Sequence, residues 1–232
     1  MSKVSKAFVL AGGLGTRLSS VVSDRPKPMA EVAGSPFLEH LLNYWISQGI
    51  TEFVFCTGYL AESISSHFGE SYRGCRIKYS VEISARGTGG ALSAALSTDQ
   101  PQGDFLVLNG DTYFPIPLYL LEDHKELANS QWALSLFKSL DAHRYSPVSL
   151  DESGYVTSIG TSDHSTLGTQ AELLVNGGVS IGQAESFVMP GDLDRGSFSV
   201  EERIKEILKF GSKAVSGQIF DGEFIDIGTP KD

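Results

Sequence analysis

Residue types suited to chemistry cluster in a few short segments of the chain. The first is Ala11-Gly12-Gly13-Leu14-Gly15-Thr16-Arg17, directly after the apolar run Lys6–Leu10. Three glycines let the backbone approach an anion closely and turn several N–H groups toward phosphate oxygens. Arg17 adds a fork of donors matched to phosphate. The spacing is not GxGxxG, because Leu18 stands where the last glycine belongs, and no GK[ST] marks a Walker loop. Lys27 lies between Pro26 and Pro28, which stiffen the backbone on both sides, so it loses little freedom on meeting a ligand. Asn109-Gly110-Asp111 follows another apolar run and would bring a carboxylate to the same sheet edge as the glycine loop. A carboxylate there suits Mg²⁺, which takes one or two carboxylates together with phosphate oxygens and water. Asp226 is an acid in the apolar setting Ile225-Asp226-Ile227-Gly228, and buried acids need a cation. Gly87-Thr88-Gly89-Gly90 opens a helical pattern, where free N–H groups could face a polar ligand edge. Asn176-Gly177-Gly178 interrupts a strand pattern, the mark of a bulge or of close ligand approach.

Other chemistries find no support. The five histidines form no HExxH, and no GxSxG elbow occurs. The two cysteines, Cys56 and Cys75, are not in CxxC spacing and read as buried free thiols. A dedicated base is unnecessary for a phosphate monoester, which is already an anion near neutral pH.

The elements that must position these residues alternate in the first half. Strands are expected at Lys6–Leu10, Glu52–Thr57, Arg76–Val81 and Asp104–Asn109, with helices between them. Leu38, Leu41, Leu42, Trp45 and Ile46 recur at helical spacing, with Ser35 as the expected N-cap, Pro36 at the first helical position and Gly49 as the stop. Uniformly apolar strands alternating with helices predict a mainly parallel sheet covered on both faces. Ligands of such sheets bind beyond the carboxyl ends of the strands. In the second half, Trp132–Phe137, Val148–Leu150, Tyr155–Ile159, Leu173–Ile181 and Phe224–Ile227 read as strands, and Gly160–Gln170 as a polar loop. Ser199 and Glu202 form a capping box for a helix to Phe210.

Composition narrows the partners. The chain of 232 residues carries a formal charge of −10, but its first thirty residues hold Lys3, Lys6, Arg17, Arg25 and Lys27 against Asp24 alone, a net +4. An acidic chain with one basic segment does not grip a nucleic-acid polymer along a face. It fits a small anionic ligand at one locus, with Lys3 and Lys6 expected to be solvated. No apolar run approaches the roughly 20 residues of a membrane span, and Ala7–Ala11 is too short for a signal peptide. The expectation is a soluble protein of the cytoplasm, without a membrane or nucleic-acid partner.

Taken together, LAGGLGTRL at Leu10–Leu18, Lys27-Pro28-Met29, GTGGA at Gly87–Ala91, NGDT at Asn109–Thr112, NGG at Asn176–Gly178 and DIGTP at Asp226–Pro230 resemble the sugar-1-phosphate nucleotidylyltransferases. The stretch Val21–Gly49 is most similar to the short heptose 1-phosphate guanylyltransferases of that family. The resemblance implies a Rossmann-like, doubly wound mixed sheet with a small antiparallel sugar-binding portion. It implies one nucleotidyltransferase domain over 1–232, with a nucleotide-binding part at about 1–115 and a sugar-binding part at about 116–232. The implied reaction is transfer of GMP from GTP to D-glycero-α-D-manno-heptose 1-phosphate, giving GDP-heptose and pyrophosphate for bacterial surface polysaccharide. Another hexose 1-phosphate, or a non-catalytic nucleotide-sugar sensor, are the alternatives, and homodimerisation is left open. By the same match Arg17 and Lys27 are catalytic. Leu10, Ala11, Gly12, Gly13, Gly15, Thr16, Gly87, Thr88, Gly89, Asn109 and Asp111 face the nucleotide, Asp111 and Asp226 hold Mg²⁺, and Asn176 and Gly177 face the sugar. Many members carry a Glu-Lys pair after the strand at Tyr155–Ile159, where this chain reads Ser158-Ile159-Gly160-Thr161. No Lys or Arg occurs between Arg144 and Arg195, which makes Arg144 the expected sugar-phosphate contact, ahead of His164.

Overall fold

The computed structural model describes residues 3–13, 26–58, 60–140, 145–160 and 172–228. Along the chain, β1 (Lys6–Leu10) is followed by the hairpin of β2 (Glu31–Val32) and β3 (Ser35–Pro36), then α1 (Phe37–Ser47), β4 (Glu52–Thr57) and α2 (Ala61–Phe68). Next come β5 (Ser71–Tyr72), β6 (Cys75–Val81), α3 (Gly87–Thr98), β7 (Asp104–Asn109), β8 (Thr112–Tyr113), α4 (Leu118–Ala128) and β9 (Trp132–Ser139). The remainder holds β10 (Val148–Leu150), β11 (Val156–Ile159), β12 (Leu173–Gln183), the single turn α5 (Ala184–Phe187), α6 (Val200–Phe210), β13 (Val215–Ile219) and β14 (Ile225–Asp226).

Eight strands form one mixed sheet in the order β13-β9-β12-β7-β1-β4-β6-β5. Its β6-β4-β1-β7 segment is parallel, with β1 between β4 and β7. The chain winds outward in opposite directions from β1, so the β1/β7 border is a topological switch point, where open sheets place their ligands. Strand β12 runs antiparallel to β7, pairing Val179 with Leu108. That reversal brings the early residues of β12, Asn176–Gly178, to the edge where β1 and β7 end. Alternation along the parallel strands feeds two cores. Val9, Phe53, Phe55, Leu106 and Leu108 pack with α1 and α2 on one face, and Phe8, Val54, Phe105 and Val107 pack with α3 and α6 on the other. Strands buried on both faces account for their unbroken apolar character.

The structure corrects several expectations. Ser35 is not a helix cap: it pairs with Val32 across a two-residue turn in which Ala33 and Gly34 have φ of 49° and 85°, and Pro36 takes the N-cap position. That turn geometry suits a right-twisted hairpin. Lys6 is not solvated. Its ammonium lies 2.9 Å from both Glu52 and Asp99, with the side chain only 14% exposed. Helix α4 and strand β13 were not anticipated. The buried face of α4 includes Lys125, neutralised by Asp104 at 3.0 Å. Strand β13 looks polar because its Ser216 is buried and hydrogen-bonded to Ser130. The capping box at Ser199 and Glu202 is present on α6, and Cys56 and Cys75 are buried free thiols. No described helix is long and apolar enough to cross a membrane.

Candidate active site

A cavity of about 660 Å³ opens at the carboxyl edge of the parallel strands, a volume suited to a small-molecule ligand. Its charged end is built from three distant segments. A 3₁₀ turn over Lys27–Met29 buries Pro28 and Met29 and so anchors Lys27. The Lys27 side chain is 13% exposed, and its Nζ lies 2.5 Å from Asp111 Oδ2 and 3.6 Å from Asp226 Oδ1. Asp111 follows β7, where the Gly110 N–H donates to Leu10 O at 3.0 Å. A Cβ at Gly110 would fall 2.8 Å from that same carbonyl, so the tight step from β7 to Asp111 requires glycine. Asp226 arrives on β14, which pairs with β8 through Asp226–Thr112 and Ile225–Tyr113. The Ile227 N–H donates to Asp111 O at 3.1 Å, and the Gly228 N–H donates to Asp226 Oδ1 at 2.7 Å. A Cβ on Gly228 would lie 2.7 Å from Asp226 Oδ1 and 3.1 Å from Lys27 Nζ, so any side chain there would crowd both charged groups.

This donor set fits a hard divalent cation. Two carboxylates converge on a point where a positive charge already sits, and phosphate oxygens and water complete the coordination of Mg²⁺ in such sites. Among the described residues no third Asp, Glu, His or Cys joins them to make a protein-only cage.

The wall beside the glycine loop carries a carboxylate that sequence reasoning missed. Glu82 follows β6 and lines the cavity, with Oε2 accepting the Arg86 N–H at 2.7 Å. Burial pushes its carboxyl above the usual value, more than the Arg86 amide pulls it down. A Cβ on Gly12 would lie 3.0 Å from Glu82 Oε1, so the glycine there keeps the carboxylate uncovered. Burial, reinforced by Glu82, holds the Cys56 thiol beneath it protonated. Glu82 sits just past a strand end, as Asp111 does; that parallel was the available signal.

Another part of the cavity wall is made by the second half of the chain. The register of β12 on β9 shifts between Asn176 and Ser180, and the displaced segment turns Asn176 into the cavity. Asn176 Oδ1 accepts the Gly178 N–H at 3.1 Å, and Asn176 Nδ2 donates to Glu201 Oε1 at 3.4 Å. Tyr145 and Phe224 form an aromatic wall, edge to face with centroids 5.3 Å apart. Glu201 and Tyr145 also escaped the sequence reading, Glu201 because it sits inside a capping motif.

Leu10, Ala11, Gly12, Gly13, Lys27, Gly87, Thr88, Asn109, Asp111, Asn176 and Asp226 all line this cavity. Gly89 and Gly177 stand behind its wall. The N–H groups of Gly89 and Gly90 donate to Phe198 O at 2.9 and 3.2 Å, so two N-terminal amides of α3 are committed to the protein. A Cβ on Gly177 would meet the Phe114 ring at 2.5 Å, and it is Gly178, with φ 73°, that lies against Asn109. Gly15, Thr16, Arg17, Arg144 and His164 lie outside the described residues.

An open sheet with a carboxyl-edge cavity holding a lysine between two aspartates is the setting of phosphoryl-transfer chemistry, and the chain belongs to the nucleotidyl transferase family, whose model matches residues 6–161. A D-glycero-α-D-manno-heptose 1-phosphate guanylyltransferase of Campylobacter jejuni is 36% identical over 231 residues, covering 98% of this chain and 96% of that one. Its counterpart from Aneurinibacillus thermoaerophilus is 35% identical over 227 residues, covering 98% and 94%. Among solved structures, HddC from Yersinia pseudotuberculosis complexed with GMP-PN aligns with a TM-score of 0.80 at 30% identity, covering 98% of this chain and 96% of that chain.

Proposed function

We propose that the protein transfers GMP from GTP to D-glycero-α-D-manno-heptose 1-phosphate, giving GDP-heptose and pyrophosphate. The observation that carries this reading is the Lys27 ammonium held between Asp111 and Asp226 at the charged end of the cavity. The choice of sugar is supported by the near-full-length similarity to the two guanylyltransferases. The choice of base is supported by Glu82: guanine offers two adjacent donors, N1–H and the 2-amino group, at one edge, and a carboxylate accepts from both.

In the reaction a phosphate oxygen of the sugar 1-phosphate forms a bond to the α-phosphorus of GTP. The bond from that phosphorus to its bridging oxygen breaks, and pyrophosphate leaves with the electron pair. Positioning and electrostatics carry such transfers. Lys27 neutralises charge on the transferring and leaving groups, with Arg17 as its partner. Leu10–Gly13 and Gly15–Thr16 hold the base and phosphates, Gly87, Thr88 and Asn109 complete that wall, and Gly89 supports it from behind. Asn176 faces the sugar, Gly177 shapes the bulge that presents it, and Arg144 approaches the sugar phosphate. Asp111 and Asp226 would hold Mg²⁺, which when bound supplies further neutralisation of phosphate charge. On this reading the product is made in the cytoplasm as a donor for surface polysaccharide.

The test is pyrophosphate release with Mg²⁺ across GTP, ATP, UTP and CTP, each with heptose, mannose and glucose 1-phosphates. GTP with the heptose 1-phosphate is expected to be fastest. Faster release from another pair replaces the substrate assignment, and no release from any pair, with nucleotide binding retained, makes the protein a sensor.

A further inference from the structure

Helix α6 begins with two glutamates, Glu201 and Glu202, and they do different things. Glu202 closes the capping box: its Oε2 accepts the Ser199 N–H at 2.6 Å, and its own N–H donates to Ser199 Oγ at 3.1 Å. Glu201 takes no part in the cap. It is half-buried and lines the cavity, and its Oε1 accepts from Asn176 Nδ2, on β12, at 3.4 Å. Its backbone is fixed on both sides, by the capping box and by the Val200 N–H, which donates to Thr88 Oγ1 at 3.0 Å. The cavity thus receives a carboxylate from the first turn of an anchored helix, and helices hold site residues more precisely than loops do.

The Asn176 side chain is aimed as firmly. Its Oδ1 accepts the Gly178 N–H at 3.1 Å, which leaves the amide nitrogen to Glu201. A Cβ on Gly178 would fall 2.6 Å from Thr112 Oγ1 and 2.8 Å from Asn109 Nδ2, and Thr112 pairs with Asp226. The Asn176–Gly178 segment therefore adjoins the cluster of Lys27, Asp111 and Asp226. A ligand whose phosphate meets that cluster can bring its next atoms to Asn176 and Glu201. What Glu201 can take there follows from its chemistry. A carboxylate accepts hydrogen bonds and donates none, so its ligand partner must be a donor. Ionised phosphate offers no donor and is repelled by it. A hydroxyl both donates and accepts, and so matches a carboxylate oxygen beside an amide N–H.

We propose that Glu201 accepts a hydrogen bond from a hydroxyl of the sugar 1-phosphate, beside Asn176, and so helps set which sugars the site takes. The ligand is the second substrate of the function proposed above, and the inference rests on that reading to this extent. Kinetics with GTP test it in the wild type and Glu201→Ala, using the sugar 1-phosphate that the wild type prefers and its 2-, 3-, 4- and 6-deoxy forms. Loss of a charge-assisted hydrogen bond in Glu201→Ala raises KM for the sugar 1-phosphate about tenfold or more, while KM for GTP stays within about twofold. One deoxy form loses about tenfold or more in kcat/KM with the wild type and less than about twofold with Glu201→Ala, because the contact it lacks is already gone. An unchanged or lowered KM for the sugar 1-phosphate overturns the proposal. So does a rise in KM for GTP as large as that for the sugar, which would give Glu201 to the ribose, or an equal loss with every deoxy form in both proteins, which would make Glu201 only structural. If the wild type turns over no substrate pair, the functional reading fails separately. Calorimetric binding of heptose 1-phosphate and mannose 1-phosphate then decides on Glu201 alone: weaker binding to Glu201→Ala supports it, and equal binding, or none to either protein, overturns it.

Discussion

The two ends of the cavity are built by different means. At the charged end, Lys27, Asp111 and Asp226 sit on very short supports: a three-residue turn, the step after β7 and a two-residue strand. Close approach marks two of these supports: the backbone at Leu10 crowds Gly110, and the Asp226 and Lys27 side chains crowd Gly228. At the other end, Asn176, Glu201, Tyr145 and Phe224 are ordinary side chains on a long strand, a helix and the loops between. The contrast teaches that the charged end writes itself into sequence as short motifs, whereas at the other end only Asn176-Gly177-Gly178 does so, and Glu201, Tyr145 and Phe224 are written in tertiary packing.

Four experiments break or sharpen that contrast. The largest effect is expected at the charged end, where Lys27→Ala or Asp111→Asn lowers turnover by about 10²-fold or more, as for loss of a donor aimed at transition-state charge. Near-normal kcat in either variant would remove that end from the chemistry. Gly228→Ala follows. Its new methyl crowds both Asp226 and Lys27, and turnover is expected to fall by about tenfold in a protein whose circular dichroism is unchanged. A silent Gly228→Ala would show that the glycine is not there for spacing.

Glu82→Gln addresses the nucleotide wall and is expected to reduce the preference for GTP over other triphosphates by about tenfold, read as the ratio of kcat/KM values. An unaltered ratio would move base recognition elsewhere. The smallest effect lies outside both ends. Burial pushes the carboxyls of Glu52 and Asp99 up, but Lys6 and Lys78 outweigh it and hold both below their usual values of 4.5 and 3.8. Their folded values being depressed, this stabilisation is complete above those usual values and is lost as pH falls through the lowered ones. For pairs that keep partial contact with solvent it amounts to about 1 kcal/mol, or roughly 2–4 °C in Tm. Lys78→Met should shrink the difference in Tm between neutral pH and pH 3 while leaving turnover at pH 7 intact.

Much of the first half was legible in the residues. Strand ends at Leu10 and Asn109 follow from apolar runs whose meaning is local, as does the capping box of α6 in the second half, whereas the meeting of Asp111 with Asp226 was implied by the family resemblance alone. What was not legible depended on partners far along the chain. Lys6 looks like solvated decoration until Glu52 and Asp99 close over it. Strand β13 looks polar until Ser130 meets Ser216. Gly89 and Gly177 have the motif's spelling, but the rings of Phe198 and Phe114 occupy the space a side chain would need.

The ribbon that carries Asp226 has a consequence for how the site breathes. Among the described residues, two residue pairs join β14 to β8, and a backbone hydrogen bond ties Ile227 to Asp111. So few bonds can open without disturbing the eight-stranded sheet, in a sub-global excursion well below the free energy of complete unfolding. The amide of Ile227 should therefore trade its hydrogen for solvent deuterium faster than amides of β1 or β7. Each such exchange event marks a moment at which one aspartate has left the other, which makes that single amide a clock for assembly of the catalytic end.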